Sequence, residues 1–357
     1  MSSLWLWTAA TLAFTASAVP IIERYQERSV EGLTNLTVSS ATMEGHDFPD
    51  PSVIYNKKDG HWYAYGTASG GSNLQVATSK DFVNWDLVTE SDGSPYNGLK
   101  DVPSWVDPDN QGVWAPDINQ LDDGTFVIYY AAQKANFTGG PGGEHSVHCI
   151  GMATSSKPTG PFEPDSDAPF LCDDERGGAI DPAGFRDDDG TRWLVYKVDG
   201  NNFGNGGSCN NEDGVQKTPI YLVQLDSDTG CAQVGDPVFL LQNEELDGPL
   251  VEAPSLGKSE SGHYVLFFSS GCYSDPTYDT SYAISTTGIK GPYRKLGPLI
   301  TSDSSQPPIE APGGGDIAAD GVHFVFHGGA VTVDGTSTRS MYTTTLDINS
   351  LTIDNDD

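Results

Sequence analysis

FPDPSVIYNKKDGHWYAYG, residues 48–66, carries the pattern on which the whole chain is built. A carboxylate before a proline, Asp50–Pro51, opens the run Ser52–Tyr55; Gly60 turns the chain; His61–Tyr65 returns as a second strand rich in aromatic residues. Period-two alternation, β-branched and aromatic content and a Gly-centred turn mark paired antiparallel strands. Leu74–Ser79 supplies a third strand, and Phe82–Trp85 closes the unit.

The unit recurs. WAPDI (114–118) leads to the strand Thr125–Tyr130, AIDPAGF (179–185) to Arg192–Tyr196, LVEAPSL (250–256) to His263–Phe268, and Gly315–Ile317 to Val322–Phe326. Pro51, Pro116, Pro182 and Pro254 stand 65, 66 and 72 residues apart, longer than a minimal blade, so long loops decorate the repeat. Helical periodicity is nearly absent. Repeated three- or four-strand units without helices predict an all-β fold, a five-bladed β-propeller. A β-sandwich holds as many strands but does not require one strand opening to recur four times. The expected organisation is a leader over 1–18, an N-terminal segment over 19–39 and a single propeller over 40–357, with no Pro- or Ser-rich linker to a second domain.

The chain carries 50 Asp and Glu against 18 Lys and Arg, a net charge of −32. Such a surface repels phosphate backbones and anionic lipid, which excludes nucleic acid and membrane as partners. Leu4–Ala18 is apolar and uncharged and ends on Ala16-Ser17-Ala18, the form of a secretory signal with a small-residue cleavage site, although no Lys or Arg precedes it. An extracellular protein follows. The sequons at Asn35 and Asn136 suit that route. So do five cysteines without a CxxC pair, enough for up to two disulfides and one thiol left over, in pairings the sequence leaves open.

In a propeller the innermost strand of each blade lines a central channel. If Asp50, Asp181 and Glu252 each open an inner strand, all three reach the same end of that channel. An Asp-Pro alone is a common turn opener; three acids recurring at one place in the repeat point to chemistry. Carboxylates gathered in this way suit glycosidic bond hydrolysis, in which one acid protonates the leaving oxygen and another activates water.

FPDPSV, WAPDI, AIDPAGF and LVEAPSL, with GHWYAYGT, LQVATSKDFVNW and VFHGG, resemble the blade motifs of glycoside hydrolase family 43 over almost the whole mature chain. The resemblance implies a five-bladed propeller, inversion at the anomeric carbon, and arabinose- or xylose-containing plant polysaccharides and oligosaccharides as substrates. It makes Asp50 the general base, Glu252 the general acid and Asp181 the carboxylate that orients the acid and raises its pKa. Trp114 stands as a stacking wall for a sugar face, and Asp117 and Arg339 as further substrate contacts. His327 of VFHGG matches a histidine that faces a metal or water deep in the channel, with calcium the expected ion. An α-L-arabinofuranosidase or arabinanase is the first reading; a β-xylosidase and a silent sugar-binding propeller are the alternatives. A monomer is expected. The Gly-rich Asn201–Asn211 and Thr138–Gly143 loops are expected at the channel rim.

Overall fold

The computed structural model describes residues 33, 38–43, 45–141, 145–303, 308–333 and 336–351. Leu4–Ala18 and the sequon at Asn35 lie outside the described residues. Five antiparallel meanders follow one another along the chain. Blade I holds β1 (Ser52–Asn56), β2 (His61–Gly66), β3 (Gln75–Ser79) and β4 (Trp85–Leu87). Blade II holds β5 (Trp114–Gln120), β6 (Phe126–Gln133), β7 (His148–Ser155) and β8 (Glu163–Pro164). Blade III holds β9 (Ala179–Arg186), β10 (Arg192–Val198), β11 (Ile220–Leu225) and β12 (Gln233–Leu241). Blade IV holds β13 (Val251–Lys258), β14 (Tyr264–Ser270), β15 (Asp279–Ser285) and β16 (Arg294–Ile300). Blade V holds β17 (Gly313–Ile317), β18 (His323–Val333) and β19 (Thr336–Thr345). The first strands of successive blades touch one another in order, and β17 returns to β1. This is the expected five-bladed propeller.

Stacking explains the sequence pattern. A sheet between two neighbours buries both faces, so its middle strand reads as a nearly continuous apolar run. On β2, Tyr63 and Tyr65 enter the core shared with blade II, and Trp62 and Ala64 enter the core shared with blade V. On β6, Phe126, Ile128 and Tyr130 face blade I, and Val127 and Tyr129 face blade III. On β14, Leu266 and Phe268 face blade III, and Val265 and Phe267 face blade V. Each aromatic or large aliphatic side chain so placed contributes about 1.5–3 kcal/mol.

The ring is closed by the segment that precedes blade I. The N–H groups of Ser39, Thr42 and Phe48 donate to the carbonyls of Thr343, Met341 and Arg339 at 2.9, 2.9 and 2.8 Å, so this segment flanks three-stranded blade V. Leu33 packs in the core between blades IV and V. The packing therefore reaches back past residue 40.

Each inner strand opens on the same backbone device. Asp50, Ala115, Asp181 and Ala253, each directly before a proline, have φ of 50°, 41°, 52° and 49°; Gly314 matches them in blade V at 57°. The pairing with the second strand skips here, for instance from Trp114–Ala131 to Asp117–Tyr129 and from Glu252–Ser269 to Ser255–Phe267. A left-handed non-Gly residue costs on the order of 1–3 kcal/mol, and such strain and bulges gather at functional sites. The device also refines the register of the acids: Asp50 and Asp181 occupy the strained position itself, whereas Glu252 stands one residue earlier with a side chain one methylene longer.

Candidate active site

Above the five left-handed residues a cleft of about 610 Å³ opens, with Asp50, Asp181, Glu252, Trp114, Lys197, Tyr278 and Arg339 in its wall. Below them the channel narrows between Pro51, Pro116, Pro182, Pro254 and Gly315. The bulge thus turns the three acids toward one mouth from blades I, III and IV, as the sequence reading required.

Asp50 is enclosed by Arg339, Thr67 and His327. Thr67 Oγ1 donates to Oδ2 at 2.6 Å, Arg339 Nη1 lies 3.4 Å from Oδ1, and His327 Nδ1 lies 3.1 Å from Oδ1. Thr67 is itself fixed by the N–H of Ala115 in the next blade, at 2.8 Å. Burial works to raise the Asp50 pKa, but the Arg339 charge and the His327 and Thr67 contacts outweigh it and hold this carboxyl well below the usual range. Asp50 is therefore an ionised carboxylate throughout the working range of pH.

Asp181 has the opposite setting. Burial and the charge of Glu252 push it up to about 8 against the pull of Lys197, while the N–H of Ala253 donates to its Oδ2 at 2.9 Å. A proton resides on this acid pair at neutral pH. Glu252 is gripped at both oxygens: Tyr278 Oη donates to Oε1 at 2.9 Å and Lys197 Nζ to Oε2 at 3.1 Å. Lys197 is 1% exposed and also pairs with Asp199 at 3.0 Å. One site thus holds a deprotonated carboxylate and, across the cleft, an acid pair with a proton to give.

Trp114 is 40% exposed on the cleft wall, stacked on His148 at 3.7 Å. Burial drives His148 down to about 4, so its ring is neutral. Arg339 lies over the exposed Tyr273 ring at 4.9 Å as well as beside Asp50. The loop with Asn201, Asn202 and Asn210 forms another wall, tied by the Cys209–Cys272 disulfide to the turn after β14. Cys149 pairs with Cys172, and Cys231 is free, matching the expected count. Asn136 is exposed.

Asp117 is placed differently from its expected role. It lies two residues past the strained Ala115, in the narrow channel rather than the cleft, and accepts from Ser52 Oγ, Asn119 Nδ2 and the N–H of Gly184 at 3.2, 2.6 and 2.7 Å. Those bonds tie blades I, II and III together, which is a structural task. His327 is buried, its Nδ1 accepts from the Asp50 N–H at 3.1 Å, and among the described residues its Nε2 has no partner. Calcium takes about 6–8 oxygen ligands. Among the described residues no group of three or more His, Cys, Asp or Glu could hold a metal. One imidazole nitrogen does not fit a calcium cage.

Lys197, Tyr278 and Thr67 escaped the sequence reading. Lys197 left a signal: a charge inside the apolar run Val195-Tyr196-Lys197-Val198 must find a buried partner. Tyr278 and Thr67 left none.

Among the described residues no helix is long and apolar enough to cross a membrane. The chain is 28% identical over 249 residues to an extracellular endo-alpha-(1->5)-L-arabinanase of Thermotoga petrophila, covering 62% of this chain and 45% of that protein. It is 25% identical over 294 residues to the xylosidase/arabinosidase 43B of Humicola insolens, covering 78% and 47%. A thermostable family-43 glycoside hydrolase shares the fold with a TM-score of 0.67 at 23% identity over 89% of this chain and 96% of that one. The chain spans a little under half the length of the curated relatives it matches. Residues 44–357 match the family described as glycosyl hydrolases family 43, and the chain belongs to that family.

Proposed function

We propose that the protein is a secreted, monomeric, inverting glycoside hydrolase that removes arabinose from plant cell-wall polysaccharides or oligosaccharides. The observation that carries this reading is the division of labour within one cleft: Asp50 is held ionised, while Asp181, beside Glu252, retains a proton near neutral pH. Asp50 takes a proton from water as the water oxygen bonds to the anomeric carbon. Glu252 gives a proton to the glycosidic oxygen as the bond from that oxygen to the anomeric carbon breaks. Asp181 orients Glu252; after product leaves, Asp50 releases its proton to solvent and Glu252 takes one up from solvent. Attack and departure on opposite faces invert the anomeric centre, with base and acid about 6.5–9.5 Å apart. Trp114 and Tyr273 offer ring faces to sugar carbons, and Arg339 offers donors to hydroxyls.

The arabinanase and the xylosidase/arabinosidase among its relatives support arabinose-containing substrates; the second relative also supports a β-xylosidase as the alternative. Extracellular action rests on the N-terminal leader pattern and on the extracellular relative.

The test is incubation with aryl α-L-arabinofuranoside, aryl β-xyloside, linear arabinan and arabinoxylan, alongside Glu252→Gln. Arabinose released by the native protein and not by the variant is expected, with polymer products separating exo from endo action. Xylose alone moves the assignment to the β-xylosidase, and no release from any substrate overturns the enzyme reading.

A further inference from the structure

We propose that Lys197 is a positioning residue for the leaving-group step: it fixes the Glu252 side chain and stabilises the charge left there once the proton has gone to the glycosidic oxygen. The inference rests on the roles proposed for Asp50 and Glu252.

A lysine with 1% of its surface exposed must be matched by charge, and this one is matched twice, by Glu252 Oε2 at 3.1 Å and by Asp199 Oδ1 at 3.0 Å. If its task were only to neutralise Asp199, nothing would require it to reach Glu252 on the neighbouring blade. The strand register makes the reach possible. Lys197 on β10 pairs with Ile180 on β9, the residue before Asp181, so its ammonium arrives beside the bulge that carries Asp181. The groups facing it are Asp181 from β9, Asp199 from its own strand end, and Glu252 from β13, whose other oxygen is held by Tyr278.

This geometry has a consequence in the transition state. As the O–H bond of Glu252 breaks and the proton passes to the departing oxygen, negative charge grows on the carboxylate. A fixed ammonium 3.1 Å away, itself 1% exposed, meets that charge with no reorganisation. Before the step the Lys197 charge opposes the rise in the Asp181 pKa, so Lys197 also sets where activity is lost as pH rises.

The experiment compares native protein, Lys197→Met, Lys197→Met/Asp199→Leu and Glu252→Gln on arabinan and on an aryl α-L-arabinofuranoside with a good leaving group. The double variant removes both buried charges together, so it folds even where the single variant leaves Asp199 unpaired. The expected result is a fall in kcat on arabinan of about 100-fold with KM within about 3-fold, and on the aryl substrate a fall under about 5-fold, because a good leaving group needs no proton. The alkaline limb of the pH profile moves up by about one unit in both lysine variants. A loss equal on both substrates, or an alkaline limb that stays in place, reduces Lys197 to a structural charge and overturns the proposal. If Glu252→Gln retains arabinan activity, the reading beneath the proposal fails; if Glu252→Gln is inactive and the lysine variants keep the native kcat on arabinan, only the role of Lys197 fails.

Discussion

The hydroxyl of Tyr278 donates to Oε1 of Glu252 at 2.9 Å. The same ring lies parallel to His327 at 5.8 Å, and His327 touches Asp50, so one buried tyrosine stands between the acid and base halves of the cleft. Burial and the Glu252 charge push the Tyr278 pKa well up, which keeps the hydroxyl a donor at every working pH. Tyr278→Phe removes this bond without opening space. The expected outcome is a kcat about 10-fold lower with KM unchanged, the measure of one bond made to a charged group. Steady-state kinetics on arabinan beside a thermal melt separate this from a fold defect; a KM increase alone would place Tyr278 in substrate binding instead.

The Asp181 setting predicts two pH dependences. Activity requires the proton of the acid pair, so it falls as pH rises through about 8. For stability, the folded pKa lies above the unfolded value, so the native state binds more protons between the two. Stability contributed by this group is complete at acid pH and lost as pH rises from about 4 to 8. Asp181→Asn removes that share, and its melting temperature declines less than the native one across this window. Asp279, pushed to about 7 by burial, keeps a residual slope in both proteins. Parallel melting curves for the two proteins would show that Asp181 titrates normally.

Trp114 is braced by a neutral His148 and 40% exposed to the cleft. Trp114→Ala takes away a rigid ring face and leaves the acids in place. KM for oligosaccharides is expected to rise about 10-fold, in keeping with about 1.5 kcal/mol of stacking, while kcat holds within a factor of about 2. A fall in kcat with KM steady would assign the ring to the reacting sugar in its transition state.

The blades were legible because stacking on both faces imposes the apolar middle strands, and because the strained position before each proline repeats one sequence signature. The acids were legible for the same reason: Asp50, Asp181 and Glu252 are tied to that signature. Asp117 misled because WAPDI carries an acid near the signature, yet two residues of extended chain move a side chain from the mouth into the channel. Tyr278 and Thr67 were silent because their roles rest on side-chain hydrogen bonds to residues distant in sequence, Tyr278 to Glu252 and Thr67 between Ala115 and Asp50, from ordinary-looking sequence. Ring closure by Ser39, Thr42 and Phe48 was equally hidden, since an edge segment shows no alternation of its own.

Beneath the cleft, Asp316 does for the closing blade what Asp117 does for its neighbours. Its carboxyl accepts from Ser52 Oγ and the N–H of Val53 in blade I at 3.0 and 2.9 Å, and from Ser255 Oγ in blade IV at 2.7 Å. Asp316→Ala leaves the buried N–H of Val53 without a partner and cuts the tie between the last blade and the first. A loss of about 3 kcal/mol is expected, seen as a melting temperature lower by about 5–10 °C. Burial raises Asp316 to about 6, so its contribution is largest in acid and diminishes as pH rises from its unfolded value through 6. The gap between native and variant melting temperatures should therefore be wider near pH 4 than near pH 8. A gap that grows with pH would mean that the ionised carboxylate, not the protonated acid, closes the ring.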